Sequence, residues 1–322
     1  MAANISKIAR EKVDQIHFDE SWRRSKIDNF DYILQAEETQ LAAKLYERES
    51  HLYFNFENLD ALEASFLTRT RNIASRLDNL VNPAFEMLNA SLEEETKSVD
   101  VICDKPSSCW INLVCSGTVN LLINIKVSAN IFLKLRSTCL AGSRANLLLL
   151  LNQEAGAVRF NLESLMAEKN SEISVTFLAV ASDNSFFDLC NRQQHIVGQT
   201  KSDVLLKLIL KQAAHGVFWG LINVEEGAQQ SDAYQLARAM LLSPESRADL
   251  IPNLNIGANN VRCTHGASYS TLNPSELFYL QSRGIEKNLA KRILTQGFLF
   301  DAGDRVLPEF FPAMEEFIIK SV

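Results

Sequence analysis

The chain has 322 residues, and the period of its hydrophobic pattern changes twice along its length. In the first part, apolar residues recur at steps of three, four and seven, the spacing of a helix that buries one face. Three such stripes are Ile5–Ile16, Leu34–Leu45 and Leu59–Leu80, and a short extended run, Leu52–Phe56, lies between the second and the third. We therefore predict an N-terminal helical region over residues 1–96.

The middle of the chain alternates apolar and polar residues in short runs, which is typical of strands. The first runs begin at Val99, Trp110 and Val119, and later ones include Leu147–Leu151 and Ile173–Val180, with Ser, Gly, Asn and Asp between them. Many short strands of this kind suit a sandwich, a barrel or a β-solenoid. Few of them are joined by Asn-Gly or Asp-Gly, so tight hairpins are not the obvious connection, and the solenoid is mildly favoured.

The helical period returns near the C-terminus. We expect Asn273 or Ser275 to cap a first helix that stops at Gly284. A second helix is predicted to close at Gly297, and a third to run to Lys320. These helices predict a compact C-terminal domain with many aromatic residues.

These changes of period divide the chain into residues 1–96, a β core over 97–271 and a C-terminal helical domain over 272–322. Apolar residues make up 47% of the chain, which is enough for a packed core. The formal net charge is −7, and no cluster of Lys and Arg is present. A nucleic-acid interface is not expected, because such surfaces depend on basic residues that neutralise phosphates.

The sequence predicts a soluble cytoplasmic protein. The first residues lack the apolar core of a secretory signal. The longest aliphatic run, Leu147–Leu151, is far shorter than the roughly 20 residues of a membrane span. None of the cysteines form a C-x-x-C pair, so a zinc ribbon or a thioredoxin-type motif is not expected. Because the sequence shows no secretory signal, we expect reduced thiols, most of them small buried side chains. The six are Cys103, Cys109, Cys115, Cys139, Cys190 and Cys263.

The common catalytic motifs are absent from the sequence. It contains no P-loop, no G-x-G-x-x-G, no G-x-S-x-G and no H-E-x-x-H. We therefore expect a protein that is not an enzyme. A polysaccharide-degrading solenoid enzyme is an alternative, but such enzymes are typically exported.

One short constellation of residues could bind a metal. Cys263 and His265 are separated by one residue, so on a strand both side chains would project from the same face. Thiolate and imidazole both bind iron and zinc. Two ligands cannot hold an iron–sulfur cluster, so a partner would have to supply the others.

Several motifs near the C-terminus follow one another in the order found in a known family. They are Gly220–Val224, Gly227–Gln235, Ile251–Ile256, Val261–Ala267 and Leu277–Ile285. Together they resemble the SufB/SufD family of the SUF iron–sulfur assembly machinery, and the C-x-H-G-A variant is similar to the SufD branch. The resemblance is close over about residues 194–300.

The resemblance implies a right-handed parallel β-helix, shortened in this chain, flanked by N-terminal and C-terminal helical regions. It implies pairing with a SufB-like protein and with a SufC-like ABC-type ATPase, and a transient iron–sulfur cluster shared with a partner. Cys263 and His265 match the residues near which the cluster is thought to form. The ATPase surface would map to the C-terminal helices, at Phe278, Tyr279, Leu280, Arg283, Gly284 and Ile285.

The resemblance also changes one local prediction and leaves alternatives open. Residues 233–242 have helical propensity, but relatives have a strand there, and we follow the relatives. The missing part of the β-helix is expected around residues 152–192, where the family pattern cannot be followed. The alternatives are a purely structural subunit without cluster ligands, and a SufB-like principal scaffold that acts as a homodimer.

Overall fold

The computed structural model describes residues 44–48, 51–55, 87–92, 94–104 and 107–322. Most of the helical stripes predicted for the first part of the chain lie outside these residues. The described residues before position 94 form strands β1 (Lys44–Arg48), β2 (His51–Asn55) and β3 (Met87–Leu92).

The extended run predicted at Leu52 is confirmed as β2. The helical assignment of Leu45 is wrong, because this residue lies in β1 and is paired with Phe54 of β2. β1 and β2 form an antiparallel pair, so their backbone groups are satisfied between strands rather than within a helix.

The remaining strands alternate between two sheets. One sheet has the order β1-β2-β4-β6-β8-β10-β12-β14-β16 and the other β15-β13-β11-β9-β7-β5-β3. From β2 and β3 onward, each strand pairs in parallel with the next strand of its own sheet. The chain therefore winds as a β-solenoid in which every turn adds one strand to each sheet, which confirms the predicted parallel β-helix.

Strands β4 to β16 are nine or ten residues long and have nearly constant length. In order they are Glu95–Cys103, Ser107–Cys115, Thr118–Val127, Ile131–Cys139, Arg144–Gln153, Ala157–Met166, Glu172–Ala181, Phe186–His195, Lys201–Leu210, His215–Val224, Asp232–Leu241, Arg247–Ile256 and Arg262–Thr271.

The turns of the solenoid lengthen along the chain. Glu95 pairs with Val119, 24 positions on, whereas His215 pairs with Arg247, 32 positions on. The strands stay the same length, so the extra residues lie in the corners. The corner between β5 and β6 has two residues, and the corner between β13 and β14 has seven.

The alternating pattern of the sequence places one set of side chains inside the solenoid. In β10, Val175, Phe177 and Ala179 point inward and are fully buried. Phe177 makes edge-to-face contacts with Phe160 and Phe187 of the other sheet, with ring centroids 5.3 and 5.9 Å apart. Such aromatic pairs stabilise a core beyond the area that they bury.

Three helices of the described chain follow the last strand, α1 (Pro274–Ser282), α2 (Lys287–Phe300) and α3 (Phe311–Ser321). Their apolar residues pack on the outer face of the nine-stranded sheet. This second core includes Leu205 and Met240 of the sheet and Leu299, Met314 and Ile318 of the helices. The described helices are neither long nor apolar enough to cross a membrane.

The predicted ends of these helices are partly right. Asn273 caps α1, because its side-chain oxygen accepts a hydrogen bond from the Ser275 amide at 3.0 Å. Gly284 follows α1 with a φ of +85°, which favours glycine. Gly297 does not close the second helix, because α2 continues to Phe300 and buries Leu299 in the second core.

A buried lysine connects the sheet to α2. The side chain of Lys207, on the outer face of β12, is 1% exposed. Its Nζ donates to the Phe298 carbonyl and to Asp301 Oδ2, both at 2.5 Å. Burial lowers the pKa of Lys207, and the hydrogen bond to Asp301 opposes that shift.

Residues 233–242, which have helical propensity, lie almost entirely in strand β14, as the resemblance predicted. The segment 152–192 contains β9, β10 and most of β11, and each keeps a continuous parallel register with its neighbours. The shortening relative to other members stays a prediction, as do the domain bounds. Strand β16 ends at Thr271 and α1 begins at Pro274.

Candidate functional site at the open end of the solenoid

The last turn of the solenoid, β15 and β16, is open on its outer side. These are the outermost strands of the two sheets, and no other strand of the described chain pairs with their outer edges. Leu254 and Ile256 on β15 and Tyr269 on β16 occupy inward positions, in register with buried residues of the preceding turn. They are nevertheless 38%, 39% and 67% exposed, because no further turn of the described residues covers them.

Cys263 and His265 lie on this open turn. They are in register with Ala233 and Gln235 of β14, whose side chains are buried inside the solenoid. Both therefore project from the inward face of β16, at the uncovered end. The predicted common face is confirmed by this register, whereas the role of the two residues as ligands stays a prediction.

The two side chains have different surroundings. His265 is exposed, whereas Cys263 is partly buried against an apolar cluster that includes Val224, Ala233 and Ala258. Burial raises the pKa of the Cys263 thiol, while a backbone hydrogen bond from Ala233 opposes the rise. A thiol must lose its proton to bind a metal, so ligation at Cys263 would release a proton.

A buried amide lies directly behind His265. Gln235 Oε1 accepts hydrogen bonds from Asn191 Nδ2 at 2.8 Å and from Gln193 Nε2 at 3.3 Å. Its side chain crosses the solenoid to Gly220, where an added Cβ would lie 2.3 Å from the Gln235 Nε2 atom. Gly220, the first residue of the motif Gly220–Val224, therefore leaves room for the Gln235 amide beneath the open turn.

The polar interior continues away from the open end. Ser202 donates to Gln193 Oε1 at 2.5 Å, and its hydroxyl lies 2.8 Å from His195 Nε2. His195 Nδ1 lies 2.7 Å from the Thr200 hydroxyl. Burial lowers the pKa of His195 to about 4, so its imidazole is neutral at physiological pH.

The sequence analysis did not predict this interior network or the position of His195 in it. The alternation of inward and outward positions along β11 is the pattern that would have revealed the network. Asn191, Gln193 and His195 occupy the inward positions that Phe187 and Leu189 hold earlier in the same strand. Polar residues in an apolar phase indicate an internal hydrogen-bonded network.

In the part of the chain that the structure describes, no further ligand joins Cys263 and His265. Among the described residues, no three His, Cys, Asp or Glu side chains lie close enough together to hold a metal ion. Cys263 and His265 can therefore contribute two donors to a cluster, and a cluster needs more. The open turn is where another chain could bring them.

The predicted ATPase surface lies on α1 and the turn that follows it. Phe278 and Tyr279 are 73% and 56% exposed, whereas Leu280 and Ile285 are partly buried. The Arg283 guanidinium lies 5.3 Å from the centroid of the Tyr279 ring. Exposed aromatic residues of this kind mark interaction surfaces more often than isolated aliphatic ones.

The class of the molecule is a parallel β-solenoid that ends in an open turn and carries a helical domain on one sheet. The family described as SUF system FeS cluster assembly, SufBD core domain, matches residues 126–298. This is more than half of the chain, and the chain belongs to that family. The match includes strands β7 to β16, both candidate ligands, α1 and most of α2.

Curated proteins show the same relationship. The chain is 39% identical over 103 residues to the chloroplastic protein ABCI7 of Arabidopsis thaliana. It is 32% identical over 144 residues to the iron–sulfur cluster assembly protein SufD of Escherichia coli, and 37% identical over 103 residues to SufD of Bacillus subtilis. These matches span 32%, 44% and 32% of this chain but only 21%, 34% and 24% of the relatives.

Proposed function

We propose that this protein is a non-enzymatic cytoplasmic scaffold subunit of an iron–sulfur cluster assembly complex, together with a SufB-like protein and a SufC-like ABC-type ATPase. The observation that carries the proposal is the open last turn, which holds Cys263 and His265 on one face among exposed apolar side chains. Membership of the SufB/SufD family supports a role in cluster assembly.

The cluster is the cargo of this complex. Cys263 and His265 contribute two of its ligands, and the SufB-like partner, docked on the open turn, contributes the others. The raised pKa of Cys263 keeps the thiol protonated until a metal displaces the proton. Cluster binding at this residue therefore becomes more favourable as pH rises.

The ATPase binds the helical domain, with Phe278 and Tyr279 at the centre of the contact. The sequence has no P-loop, so nucleotide hydrolysis occurs in the partner. Movement of the ATPase passes to α1 and α2, and from α2 to the sheet through Lys207 and Asp301. The open turn moves with the helical domain, because β16 ends at Thr271 and α1 begins at Pro274.

The test is reconstitution of the three proteins, with ATPase rate, bound iron and bound sulfide measured on the same sample. We expect a stable complex in which the ATPase is stimulated and a cluster forms. The double variant Cys263→Ala, His265→Ala should keep the complex and lose most of the cluster. Phe278→Ser should weaken ATPase binding without changing the partner contact at the open turn.

Cys190→Ala is the matched control, because Cys190 is a buried cysteine of β11 far along the chain from the open turn. It should assemble clusters as the unchanged protein does. Normal cluster loading by the double variant would refute the ligand assignment, and failure to form any complex would refute the scaffold role.

A purely structural subunit is the second candidate, and the environment of Cys263 favours it. The thiol packs against an apolar cluster, as a small core side chain would. In that case the open turn still binds the partner, and iron loading does not depend on His265. The single variant His265→Ala separates the two, because His265 is exposed and its loss disturbs little packing.

A further inference from the structure

The last residues of β5, β7, β9 and β11 form a column inside the solenoid. Cys115 is in register with Cys139, which is in register with Met166. His195 comes next and is in register with Met166. All four side chains are fully buried. The column therefore places two thiols, a thioether and an imidazole on four consecutive strands of the seven-stranded sheet.

The two cysteines of the column are in contact. Their sulfur atoms share a hydrogen bond, which raises the pKa of Cys115 and lowers the pKa of Cys139. Neighbouring strands of a sheet lie about 4.8 Å apart. A zinc–thiolate bond, for comparison, is about 2.3 Å long, so one metal ion fits between two sulfur atoms that are separated by about one strand spacing. The pair is therefore spaced to bind a single ion between two strands.

The thioether of Met166 extends the pair, whereas His195 is engaged elsewhere. Met166 belongs to the same buried core as both cysteines, and its flexible, polarisable side chain can turn towards them. The two ring nitrogens of His195 lie 2.7 and 2.8 Å from the hydroxyls of Thr200 and Ser202. The donors that the column offers to an ion are therefore three sulfur atoms.

The number and the kind of these donors decide which metal fits. Cys103, another cysteine of the same core, faces the Asn130 carbonyl at 3.9 Å. Among the described residues, no three His, Cys, Asp or Glu side chains could hold a metal ion together. Structural zinc sites and iron–sulfur clusters use four protein ligands, so three sulfur atoms suit neither. Thiolate and thioether ligands select monovalent copper.

We propose that Cys115, Cys139 and Met166 form a buried site that binds one monovalent copper ion inside the solenoid. Binding displaces a thiol proton, as metal binding by cysteine does. The site goes beyond the proposed role in cluster assembly and does not depend on it. In the seven-stranded sheet, β7 lies four strand spacings from β15, about 19 Å, so an ion at Cys139 does not reach the open turn.

Burial of the site determines how copper enters and leaves. The three side chains are fully buried, so an ion passes only when neighbouring strands separate locally. Copper bound there should exchange slowly with a chelator. Copper bound by Cys263 at the open turn should exchange rapidly, because that thiol is only partly buried.

The test measures copper binding to the full chain under anaerobic conditions. The chain is produced in cells supplied with copper, and its copper content is measured after purification. Titration with monovalent copper against a chromophoric chelator then gives the affinity. We expect the double variant Cys263→Ala, His265→Ala, which lacks the candidate ligands of the open turn, to retain one copper ion per chain. X-ray absorption at the copper edge should show sulfur ligands only.

Further substitutions in that double variant test the three ligands. Cys139→Ala should lose the bound copper, because it removes the central donor of the column. Met166→Leu nearly keeps the side-chain volume and should bind copper at least about tenfold more weakly, since even outer partners of metal ligands change affinity about 10–100-fold. Cys103→Ala is the matched control, because it removes a thiol from the same core and leaves the three donors in place. It should bind copper as the double variant does.

Circular dichroism checks that each variant folds, and Met166→Leu decides if Cys139→Ala unfolds. The site is overturned if the double variant holds no copper or if its copper has nitrogen or oxygen ligands. Unchanged affinity in Met166→Leu, or equal loss in Cys103→Ala, also overturns it. Cluster assembly is measured separately on the three-protein complex, so the copper site and the scaffold role can fail independently.

Discussion

At the scale of single residues, His195 is a buried group whose ionisation makes stability depend on pH. Its two ring nitrogens contact Thr200 and Ser202, and burial lowers its pKa from an ordinary 6.5 to about 4. The nearby Asp232 carboxylate opposes this shift. Between pH 6.5 and 4 the unfolded chain therefore takes up a proton that the folded chain does not.

We predict that this difference lowers the free energy of unfolding as pH falls through that window, by up to about 3 kcal/mol at pH 4. Above pH 6.5 it has no effect, because both states are neutral. Urea unfolding at pH 7.5, 6 and 4.5 measures the change. His195→Gln removes the titrating group, so its stability should fall less over the same interval.

Carboxylates titrate in the same range, so the comparison between the two proteins isolates His195. The pH dependence of cluster loading cannot replace the unfolding measurement, because cluster loading also depends on the ionisation of the Cys263 thiol. Equal pH dependence in the two proteins would show that His195 titrates normally in the folded chain.

At this scale the sequence predicted the shared face of Cys263 and His265, because the two-residue period of a strand alone determines it. It could not predict that both lie on the last turn, since that depends on where the stacking stops. It also could not predict the contact of Gln235 with Gly220, which joins residues of opposite sheets.

At the scale of elements, α2 is fixed to the sheet by Lys207. The lysine is buried. Asp301, although 62% exposed, forms an ion pair with it, and the Phe298 carbonyl accepts a second hydrogen bond from its Nζ. We predict that Asp301→Asn lowers the free energy of unfolding by about 1–3 kcal/mol, because it weakens a charged hydrogen bond to a buried amine. Hydrogen exchange of α2 amides should become faster, whereas exchange in β8 to β10 should not change.

The control is Glu316→Gln, which removes an exposed pair with Lys320 on α3. Such pairs contribute about 0.3–0.5 kcal/mol, so its stability should scarcely change. If Asp301→Asn also left stability and exchange unchanged, α2 would be held by apolar contacts alone.

Two elements show how far local pattern can be trusted. Strand β14 contains Ala, Gln, Arg, Met and Leu, which favour helix, but its neighbours β12 and β16 supply a complete ladder of backbone bonds. Helix α2 passes through Gly297 because burial of Leu299 offsets the helical cost of glycine, about 1 kcal/mol. Tertiary contacts therefore determine the secondary structure of both segments, and local propensity alone does not predict it.

At the scale of the whole molecule, stability depends on aromatic contact between the two sheets at mid-solenoid. Phe177 is fully buried between Phe160 and Phe187. We predict that Phe177→Ala lowers the free energy of unfolding by about 3–5 kcal/mol, through lost contacts and the cavity left behind. Chemical denaturation followed by tryptophan fluorescence measures it.

Phe278→Ala is the matched substitution at an exposed site, and it should change the free energy of unfolding by less than about 0.5 kcal/mol. Comparable losses in the two variants would show that the solenoid interior is loosely packed at its centre. The predicted difference follows from burial alone, because the chemical change is the same.

Strand spacing left a sandwich, a barrel and a solenoid open, and the scarcity of hairpin turns only mildly favoured the solenoid. The family resemblance supplied the prediction of a parallel β-helix. The sequence could not assign strands to two sheets, because that depends on corners whose lengths follow no fixed repeat. The column from Cys115 to His195 looks scattered in the sequence for the same reason, since its spacing changes from turn to turn.

The lengthening corners have a consequence for how this molecule can change over evolution. Residues inserted at a corner leave the strand ladder in register, since the strands on either side keep their length. The seven-residue corner before β14 lies in the turn that precedes the open last turn. Insertions at this corner can therefore change the border of the open turn, while the register of β14 and β16 keeps Cys263 and His265 on one face.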